Sequence, residues 1–192
     1  MKNIVLELYK KKQTVFTFKE LYLMFPDLKK QSLKDKLRYA VKTKKLLRLR
    51  KGAYAKTNFN YFELANKIYT PSYISLETVL KKEGIIFQEI SQITLVSYIT
   101  RKIKINDVIL NYRKIKDQVL TNKQGIIEID NYFIASKERA FLDALFLFKD
   151  YHFDNLMPLD FKKIFQMVKI YKNKALESRV KKYYKIYQKD YA

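Results

Sequence analysis

Hydrophobic residues in the N-terminal third of the chain recur first at helical spacing and then as a short extended pair. The apolar positions between Ile4 and Tyr9 predict a first helix over about residues 3–12. Val15 and Phe16 follow a polar stretch and predict a short strand. The chain is therefore predicted to begin with a helix followed by a strand.

A second helix carries sequence signals at both of its ends. Thr17 and Glu20 have the three-residue spacing of a capping box, in which each side chain accepts a hydrogen bond from the other residue's backbone N–H. Pro26 cannot continue a helix, because it lacks a backbone N–H and its ring collides with the preceding turn. This helix is accordingly predicted over Phe18–Phe25.

A third helix and a hairpin complete the pattern. Ser32 is the predicted N-cap of the third helix, which is expected to end near Lys45. Residues 46–50 alternate between apolar and basic side chains, Lys51-Gly52 predicts a turn, and residues 53–55 pair back. Helix, strand, two helices and a two-stranded hairpin follow each other in the order of a winged helix-turn-helix.

The remainder of the chain mixes short strands with helices, so the predicted fold class is α+β. Residues 1–57 are predicted to form the winged helix-turn-helix, residues 58–70 a connecting helix or linker, and residues 71–192 a second, mixed α/β domain. The second domain ends in two basic helices predicted over residues 160–189. Its predicted strands cover residues 93–97, 102–105, 108–110, 126–129 and 132–135.

Charge separates these regions. The chain has 40 Lys+Arg against 19 Asp+Glu, a formal net charge of +21. Lysine outnumbers arginine 33 to 7, a bias that AT-rich codons produce without any function, and such a bias would spread evenly. The net charge is instead +13 over residues 1–57, +1 over 58–157 and +7 over 158–192. A first domain this basic favours a polyanionic partner, most commonly nucleic acid.

Composition excludes several other classes of protein. The chain has no cysteine and one histidine, His152, so we expect neither a disulfide scaffold nor a Cys- or His-ligated metal site. No apolar run reaches the roughly 18 residues that a membrane span requires, and the N-terminus does not resemble a signal peptide. We therefore expect a cytoplasmic protein without a membrane partner, a cofactor or a catalytic constellation.

The polar face of the third helix and the hairpin supply the candidate DNA contacts. The second helix of a helix-turn-helix lies in the major groove, where Arg reads guanine and Gln reads adenine. A short basic wing suits phosphate or minor-groove contacts. An ordinary solvated helix face is the competing interpretation. The candidate DNA-binding residues are Gln31, Ser32, Lys34, Asp35, Arg38, Tyr39, Lys42, Arg48, Arg50 and Lys51.

Two further segments carry candidate chemistry of lower specificity. Lys181, Lys182 and Lys185 interleave with tyrosines and form a possible second basic surface for nucleic acid. An amphipathic helix that buries its tyrosines explains the same pattern. Glu128 and Asp130 share one face of a predicted strand, as the carboxylates of a metal-dependent nuclease do, or as a solvated strand face does.

Three motifs follow the predicted winged helix in order: residues 71–85, residues 93–97 with Arg101-Lys102 after them, and residues 135–143. Together with the winged helix they resemble the AbiEi-type antitoxins of type IV toxin–antitoxin (abortive infection) systems, in which a strand leading into basic residues corresponds to residues 93–102. Residues 14–57 look like the winged helix of that family. Residues 71–85 (PSYISLETVLKKEGI) are similar to its P-x-Y-I-S-x-x-[ST]-A-L…G-L segment. Residues 135–143 (ASKERAFLD) resemble its A-[ST]-P-E-[KR]-A-L-x-D helix start, with Lys137 in place of the usual proline. The resemblance covers about residues 14–148.

The resemblance implies a function as well as a fold. It implies a negative autoregulator that binds its own promoter, at inverted repeats. It also implies that the protein counteracts a nucleotidyltransferase-like toxin in phage defence, without a stable complex. Candidate antitoxin residues are Ser75, Glu138 and Asp143, although helix capping, or a buried pair with Arg139, explains the same residues structurally. Two alternatives remain, a winged-helix regulator whose second domain senses a ligand or dimerises, and the metal-dependent nuclease.

Overall fold

The chain forms two compact units, which a computed structural model describes over residues 3–89 and 91–191. The first unit is Met1–Ile68 and the second is Tyr69–Ala192. Each unit combines helices with its own β-sheet, so the predicted α+β class is confirmed. Met1, Lys2, Ile90 and Ala192, which fall inside the predicted domains, lie outside the described residues.

The first unit places four helices around a small antiparallel sheet. Its strand order is β1-β3-β2, and both pairings are antiparallel. Its elements are α1 (Ile4–Tyr9), β1 (Val15–Thr17), α2 (Phe18–Met24), α3 (Lys30–Lys42), β2 (Leu47–Arg50), β3 (Ala53–Ala55) and α4 (Tyr61–Ile68).

The start of α2 matches the sequence prediction. The backbone N–H of Glu20 donates to Thr17 Oγ1 at 3.2 Å, and the backbone N–H of Thr17 donates to Glu20 Oε2 at 2.7 Å. These reciprocal bonds satisfy backbone donors that the first helical turn leaves without a partner. The helix ends at Met24, two residues before Pro26.

The predicted N-cap of α3 is wrong. The helix begins at Lys30, with Lys29 as the N-cap and no side-chain hydrogen bond there. Ser32 lies within the first turn, because Lys30 and Gln31 have good helix propensity and extend the helix toward its N-terminus. The helix ends at Lys42, three residues earlier than predicted.

An apolar core holds α1, α2 and α3 of the first unit to the hairpin. Leu46, which is 1% exposed, anchors the hairpin in this core, whereas Leu47 and Leu49 are only half-buried. The buried members are Ile4, Leu8, Phe16, Leu21, Leu33, Leu37, Ala40, Leu46 and Tyr54. The exposed face of α3 is therefore fixed by the leucines on its opposite side.

Helix α4 is an integral part of the first unit, although residues 58–70 are predicted to form only a connecting helix or linker. Glu63 is 2% exposed, and its Oε2 accepts hydrogen bonds from the backbone N–H (2.9 Å) and the hydroxyl (2.6 Å) of Thr14. Its Oε1 accepts a third bond from the Val15 N–H at 3.2 Å. These bonds fasten α4 to the strand β1.

The second unit is built on a six-stranded mixed sheet with strand order β6-β7-β5-β4-β9-β8. Strand β4 pairs antiparallel with β5 and parallel with β9, so it joins the two halves of the sheet. The elements of this unit are β4 (Ser72–Ile74), α5 (Glu77–Lys82), β5 (Gln92–Ser97), β6 (Arg101–Ile105), β7 (Val108–Lys114), α6 (Asp117–Leu120), β8 (Ile126–Ile129), β9 (Tyr132–Ala135), α7 (Lys137–Leu147), α8 (Phe161–Met167), a 3-10 helix (Val168–Tyr171) and α9 (Lys174–Tyr191).

Both predicted hairpins of the second unit are present. Asn106 begins the turn between β6 and β7 with φ 52°, and Asp130 begins the turn between β8 and β9 with φ 49°. Asn and Asp tolerate this left-handed conformation better than other side chains that carry a Cβ. The short polar turn residues are therefore what sets the hairpin positions.

Candidate nucleic-acid interface

Helix α3 presents a buried face to the core and a polar face to solvent. Leu33, Leu37 and Ala40 are at most 3% exposed. Arg38 and Tyr39, on the opposite face, are 76% and 65% exposed. The polar side chains predicted for DNA contact are thus accessible along most of the helix.

Basic residues of α3 and of the hairpin line one groove of about 420 Å³. Arg48 of β2 and Lys51 of the turn stand on its hairpin side. Lys30, Lys34 and Arg38, spaced four residues apart on α3, stand on its helix side. Lys30 is not among the predicted contacts, because the sequence predicts a helix that begins after it. Its four-residue spacing from Lys34 is the signal that places both on one helix face.

Other predicted DNA-binding residues lie outside this groove. Ser32, Asp35 and Tyr39 line a second groove of about 720 Å³, on the side of α3 that faces α1. Lys42, at the end of α3, is exposed and lines neither groove. Arg50, in β2, is likewise exposed and outside both grooves. The structure therefore brings four predicted residues into the basic groove: Lys34, Arg38, Arg48 and Lys51.

One carboxylate organises the centre of the exposed α3 face. The Gln31 side-chain amide donates to both oxygens of Asp35, with Nε2 at 3.1 Å from Oδ1 and 3.2 Å from Oδ2. The Arg38 guanidinium approaches the same carboxylate, with Nη1 at 3.3 Å from Oδ1. Asp35 thereby joins the two side chains of α3 best suited to reading adenine and guanine.

A buried polar cluster occupies the second unit, and it contains two of the three candidate antitoxin residues. Asp143 of α7 is completely buried and accepts a hydrogen bond from the Ser75 hydroxyl at 2.8 Å. The hydroxyls of Tyr171 and Tyr73 donate to its other oxygen at 2.7 and 3.2 Å. Arg139 Nε lies 3.4 Å from that same oxygen. Ser75 is thus a partner of Asp143 and not the helix cap that its position suggests; Leu76 precedes α5 instead.

Arg139 also holds the end of α6 and the loop that follows it. Its Nη2 donates to the Val119 carbonyl at 2.6 Å, and its Nη1 donates to the Gln124 carbonyl at 2.8 Å. The Nη2 group also donates to the Tyr73 hydroxyl at 3.0 Å. A fully buried guanidinium is tolerated here because the carboxylate, a hydroxyl and backbone carbonyls share its donors.

Burial shifts the acid–base equilibria of this cluster. It raises the pKa of the Asp143 carboxyl, although Arg139 and the hydroxyl donors oppose the shift. Burial and the nearby Asp143 charge raise the pKa values of Tyr73 and Tyr171 well above their ordinary range. Burial alone lowers the pKa of Arg139, but Asp143 and the two tyrosines outweigh that effect, so its net pKa is raised. Arg139 therefore stays cationic and both tyrosines stay neutral at physiological pH.

Glu138, the third candidate antitoxin residue, lies apart from this network. It is 3% exposed in the first turn of α7, where the helix dipole favours a carboxylate. Its Oε1 has no hydrogen-bond partner within the described residues. The predicted N-cap of this helix is confirmed, since the Arg139 N–H donates to Ser136 Oγ at 3.2 Å.

The C-terminal helix uses its tyrosines for packing and leaves its lysines in solvent. The rings of Tyr184 and Tyr187 lie 5.2 and 4.8 Å from the ring of Phe161 in α8. The ring of Tyr183 packs 5.2 Å from that of Phe153. Lys181, Lys182 and Lys185 are exposed. These tyrosines are therefore committed to the fold, and the three lysines alone remain as a second basic surface.

Glu128 and Asp130 are both exposed at the β8–β9 hairpin. Within residues 3–89 and 91–191, no three His, Asp or Glu side chains form a group that could hold a metal ion. Glu128 and Asp130 therefore belong to no such group among the described residues.

None of the helices in the described part of the chain is both long enough and apolar enough to span a membrane.

Comparison with known proteins assigns the chain to no family. No family model matches it, and the search of curated proteins found no match. The functional interpretation consequently depends on the geometry of the two units and on the motif resemblance described above.

Proposed function

We propose that the first unit is a winged helix-turn-helix that binds duplex DNA, with α3 as the recognition helix and the β2–β3 hairpin as the wing. The observation that carries this proposal is the convergence of five cationic side chains from two elements on one groove: Lys30, Lys34, Arg38, Arg48 and Lys51. The order α1-β1-α2-α3-β2-β3 is the one that this fold requires.

Charge and shape both favour a duplex over a small anion. A row of three cations along α3 follows a helical edge and faces a second pair across the groove. Each Lys or Arg that neutralises a phosphate releases a condensed counterion, so binding is expected to weaken steeply with salt. The wing has two turn residues, Lys51 and Gly52, and is therefore expected to contact phosphate and not to read several bases.

We further propose that the chain is an AbiEi-type antitoxin, which represses its own promoter and counteracts a nucleotidyltransferase-like toxin in the cytoplasm. The support is the motif resemblance, together with the hydrogen bond that joins Ser75 of one motif to Asp143 of another. A winged-helix regulator without a toxin partner is the competing reading. A neighbouring gene for a nucleotidyltransferase distinguishes the two.

The DNA-binding proposal is tested with single substitutions in the groove. Arg38→Ala should cost roughly 1–3 kcal/mol at a preferred site if Arg38 contacts a guanine, and should relax selection at that position. Lys51→Ala should weaken binding to all duplexes alike and reduce the salt slope by about one. Lys12→Ala is the matched control, because Lys12 is exposed on the same unit but does not line the groove.

Two results contradict the assignment. Full-length protein that binds duplex DNA without salt dependence removes the basis for an electrostatic groove. Equal losses for Arg38→Ala on specific and random DNA show that Arg38 does not read a base.

The second basic surface, formed by Lys181, Lys182 and Lys185, is tested by substituting these residues and not by deleting the segment that carries them. Residues of α8 and α9 such as Ile164, Leu176 and Val180 are fully buried, so removing residues 158–192 would expose the core of the second unit. Changing Lys181, Lys182 and Lys185 together to Gln should preserve the fold, because all three side chains are exposed. A reduced salt slope of full-length binding assigns these lysines to DNA, and an unchanged slope assigns them to another role.

We propose that the first unit binds promoter DNA and that the second unit counteracts the toxin. A fragment of residues 1–68 should bind promoter DNA weakly, and a fragment of residues 69–192 should protect cells from the toxin without repressing the promoter. Co-expression of each fragment with the neighbouring toxin gene, beside a promoter–reporter assay, tests this. Growth restored by residues 1–68 alone contradicts it, and so does a requirement for the full chain while both fragments remain folded.

A further inference from the structure

We propose that Asp35 is a positioning residue, which orients the Arg38 and Gln31 side chains for contact with bases. Its charge also repels duplexes whose bases these two side chains cannot contact. This inference rests on the DNA binding proposed for the first unit. Asp35 is the single acidic residue among the 13 residues of α3, which contains five basic ones. Asp35 lines the neighbouring groove on the α1 side of the helix, but it contacts Arg38 of the basic groove. A carboxylate so close to the basic groove is expected to weaken binding to every duplex unless it also has a compensating role.

Stability does not supply that role. The Asp35 and Arg38 side chains are 51% and 76% exposed, and their pair has i,i+3 spacing. Exposed pairs of this kind contribute little to folding, because water screens the charges and ordering two side chains costs entropy. The carboxylate is also not needed for helix capping, since it lies five residues after the start of α3.

The geometry supports positioning. Asp35 takes one N–H of the Gln31 amide and one nitrogen of the Arg38 guanidinium, so both side chains converge on the middle of the exposed face. The Gln31 amide keeps its carbonyl oxygen and a second N–H for the two-point contact that adenine accepts. The Arg38 guanidinium keeps its remaining donors for guanine. Long side chains held in one orientation lose less entropy on binding than mobile ones.

The same carboxylate acts against non-specific complexes. On a matching site, the base contacts of Arg38 and Gln31 offset the repulsion between Asp35 and the phosphates. On random DNA those contacts are absent and the repulsion remains. Asp35 therefore widens the affinity difference between matched and random DNA, which is the quantity that determines occupancy among competing genomic sites.

The test uses the full chain and two duplex probes. A preferred duplex is first selected from a random-sequence library, and a scrambled duplex of equal composition serves as the second probe. Dissociation constants are measured on both for wild type, Asp35→Asn, Arg38→Ala and the double variant. Asp107→Asn is the matched control, because Asp107 is an exposed acid of the second unit that also pairs at i,i+3, with Lys104 at 3.8 Å.

Asp35→Asn is expected to raise the affinity for scrambled DNA about threefold and to reduce the preferred-to-scrambled affinity ratio about tenfold. The loss in this ratio should be smaller in the Arg38→Ala background, because Asp35 then positions only Gln31. Asp107→Asn should leave the affinity ratio unchanged. Circular dichroism checks that each variant is folded.

Three outcomes overturn the inference. If Asp35→Asn changes both affinities by the same factor, Asp35 only adjusts the net charge of the surface. If its effect on selectivity persists in full without Arg38 and maps to a cytosine, Asp35 accepts a hydrogen bond from that base directly. If wild-type protein binds no duplex, the proposed function fails as well, so the two failures are distinguishable.

Discussion

Two aspartate–arginine pairs of nearly equal length lie on helices of this chain, in opposite surroundings. Asp35 and Arg38 lie 3.3 Å apart with both side chains more than half exposed. Arg139 and Asp143 lie 3.4 Å apart with both completely buried. Water screens the first pair, so it is free to act on a partner, whereas the second has no solvent to replace a lost ligand. Burial, and not residue type, therefore makes the second pair a part of the folded core and leaves the first pair accessible.

The largest effect is expected from breaking the buried pair. Asp143→Ala leaves Arg139 charged without its carboxylate and removes the acceptor of Ser75, Tyr73 and Tyr171. Loss of one partner from a buried pair typically costs about 3–5 kcal/mol. The free energy of unfolding, measured by urea titration with far-UV circular dichroism, checks this. A loss under about 1 kcal/mol would show that water replaces the carboxylate, and the contrast between the two pairs would fail.

Gly125 sharpens the comparison, because it lies against the buried arginine. Its φ is +74°, and an added Cβ would come within 2.9 Å of Arg139 Cβ and 2.7 Å of Met167 Sδ. Gly125→Ala combines left-handed strain with overpacking and should cost about 2–4 kcal/mol. Gly84→Ala is the matched control: its φ is +68° but nothing lies within 4 Å of the added Cβ. Its expected cost is about 1–2 kcal/mol. Equal thermal stabilities for the two variants would contradict tight packing at Arg139.

Glu20 and Lys67 form an intermediate case in the first unit, with Nζ 3.0 Å from Oε1 and exposures of 37% and 14%. Burial raises the pKa of Glu20, but hydrogen bonds from Thr17 and Lys67 outweigh it, so the net pKa is lowered. A lowered folded-state pKa stabilises the protein above the unfolded value and loses that contribution as pH falls through the folded value. In Glu20→Gln the free energy of unfolding should therefore fall less steeply than in wild type as the pH becomes acid.

Stability measured between neutral and acid pH tests this, with Glu128→Gln as the control for an exposed acid on the other unit. If Glu20→Gln leaves the free energy of unfolding at acid pH falling as steeply as in wild type, the loss of stability in acid arises elsewhere in the chain.

The smallest effect is expected at the exposed pair. Asp35→Ala should change the free energy of unfolding by no more than about 0.5 kcal/mol, because an exposed i,i+3 pair contributes little. Urea titration under the same conditions as for Asp143→Ala makes the two values directly comparable. A loss near that of Asp143→Ala would mean that the exposed pair serves folding, and would remove the contrast.

The sequence predicts the caps and turns that depend on interactions between residues close together in the chain. The Thr17–Glu20 box, the turns at Asn106 and Asp130, and the cap at Ser136 all depend on residues at most four apart, and all are present. Ser32 and Ser75 carry the same cap signal and form no cap. Ser75 has a stronger partner in Asp143, which no local rule identifies.

The features that the sequence does not predict depend on residues that lie far apart in the chain. Asp143 receives hydrogen bonds from Tyr73 and Tyr171, which lie 70 and 28 residues away in the chain. Its position on an otherwise apolar helix indicated only that a partner was needed. In the candidate interface the polar face of α3 followed from helical spacing, but its division between two grooves depends on where α1 and the hairpin pack. Sequence periodicity therefore predicts which face of a helix is polar, but it does not predict which elements pack beside that face.

The attachment of α4 determines where the first unit can be divided from the rest of the chain. Glu63 accepts three hydrogen bonds at the start of β1, and a chain cut near residue 57 loses this acceptor. A fusion that transfers the first unit to another protein is therefore expected to need its junction after Ile68. The transferable segment is then one helix longer than the six elements from α1 to β3.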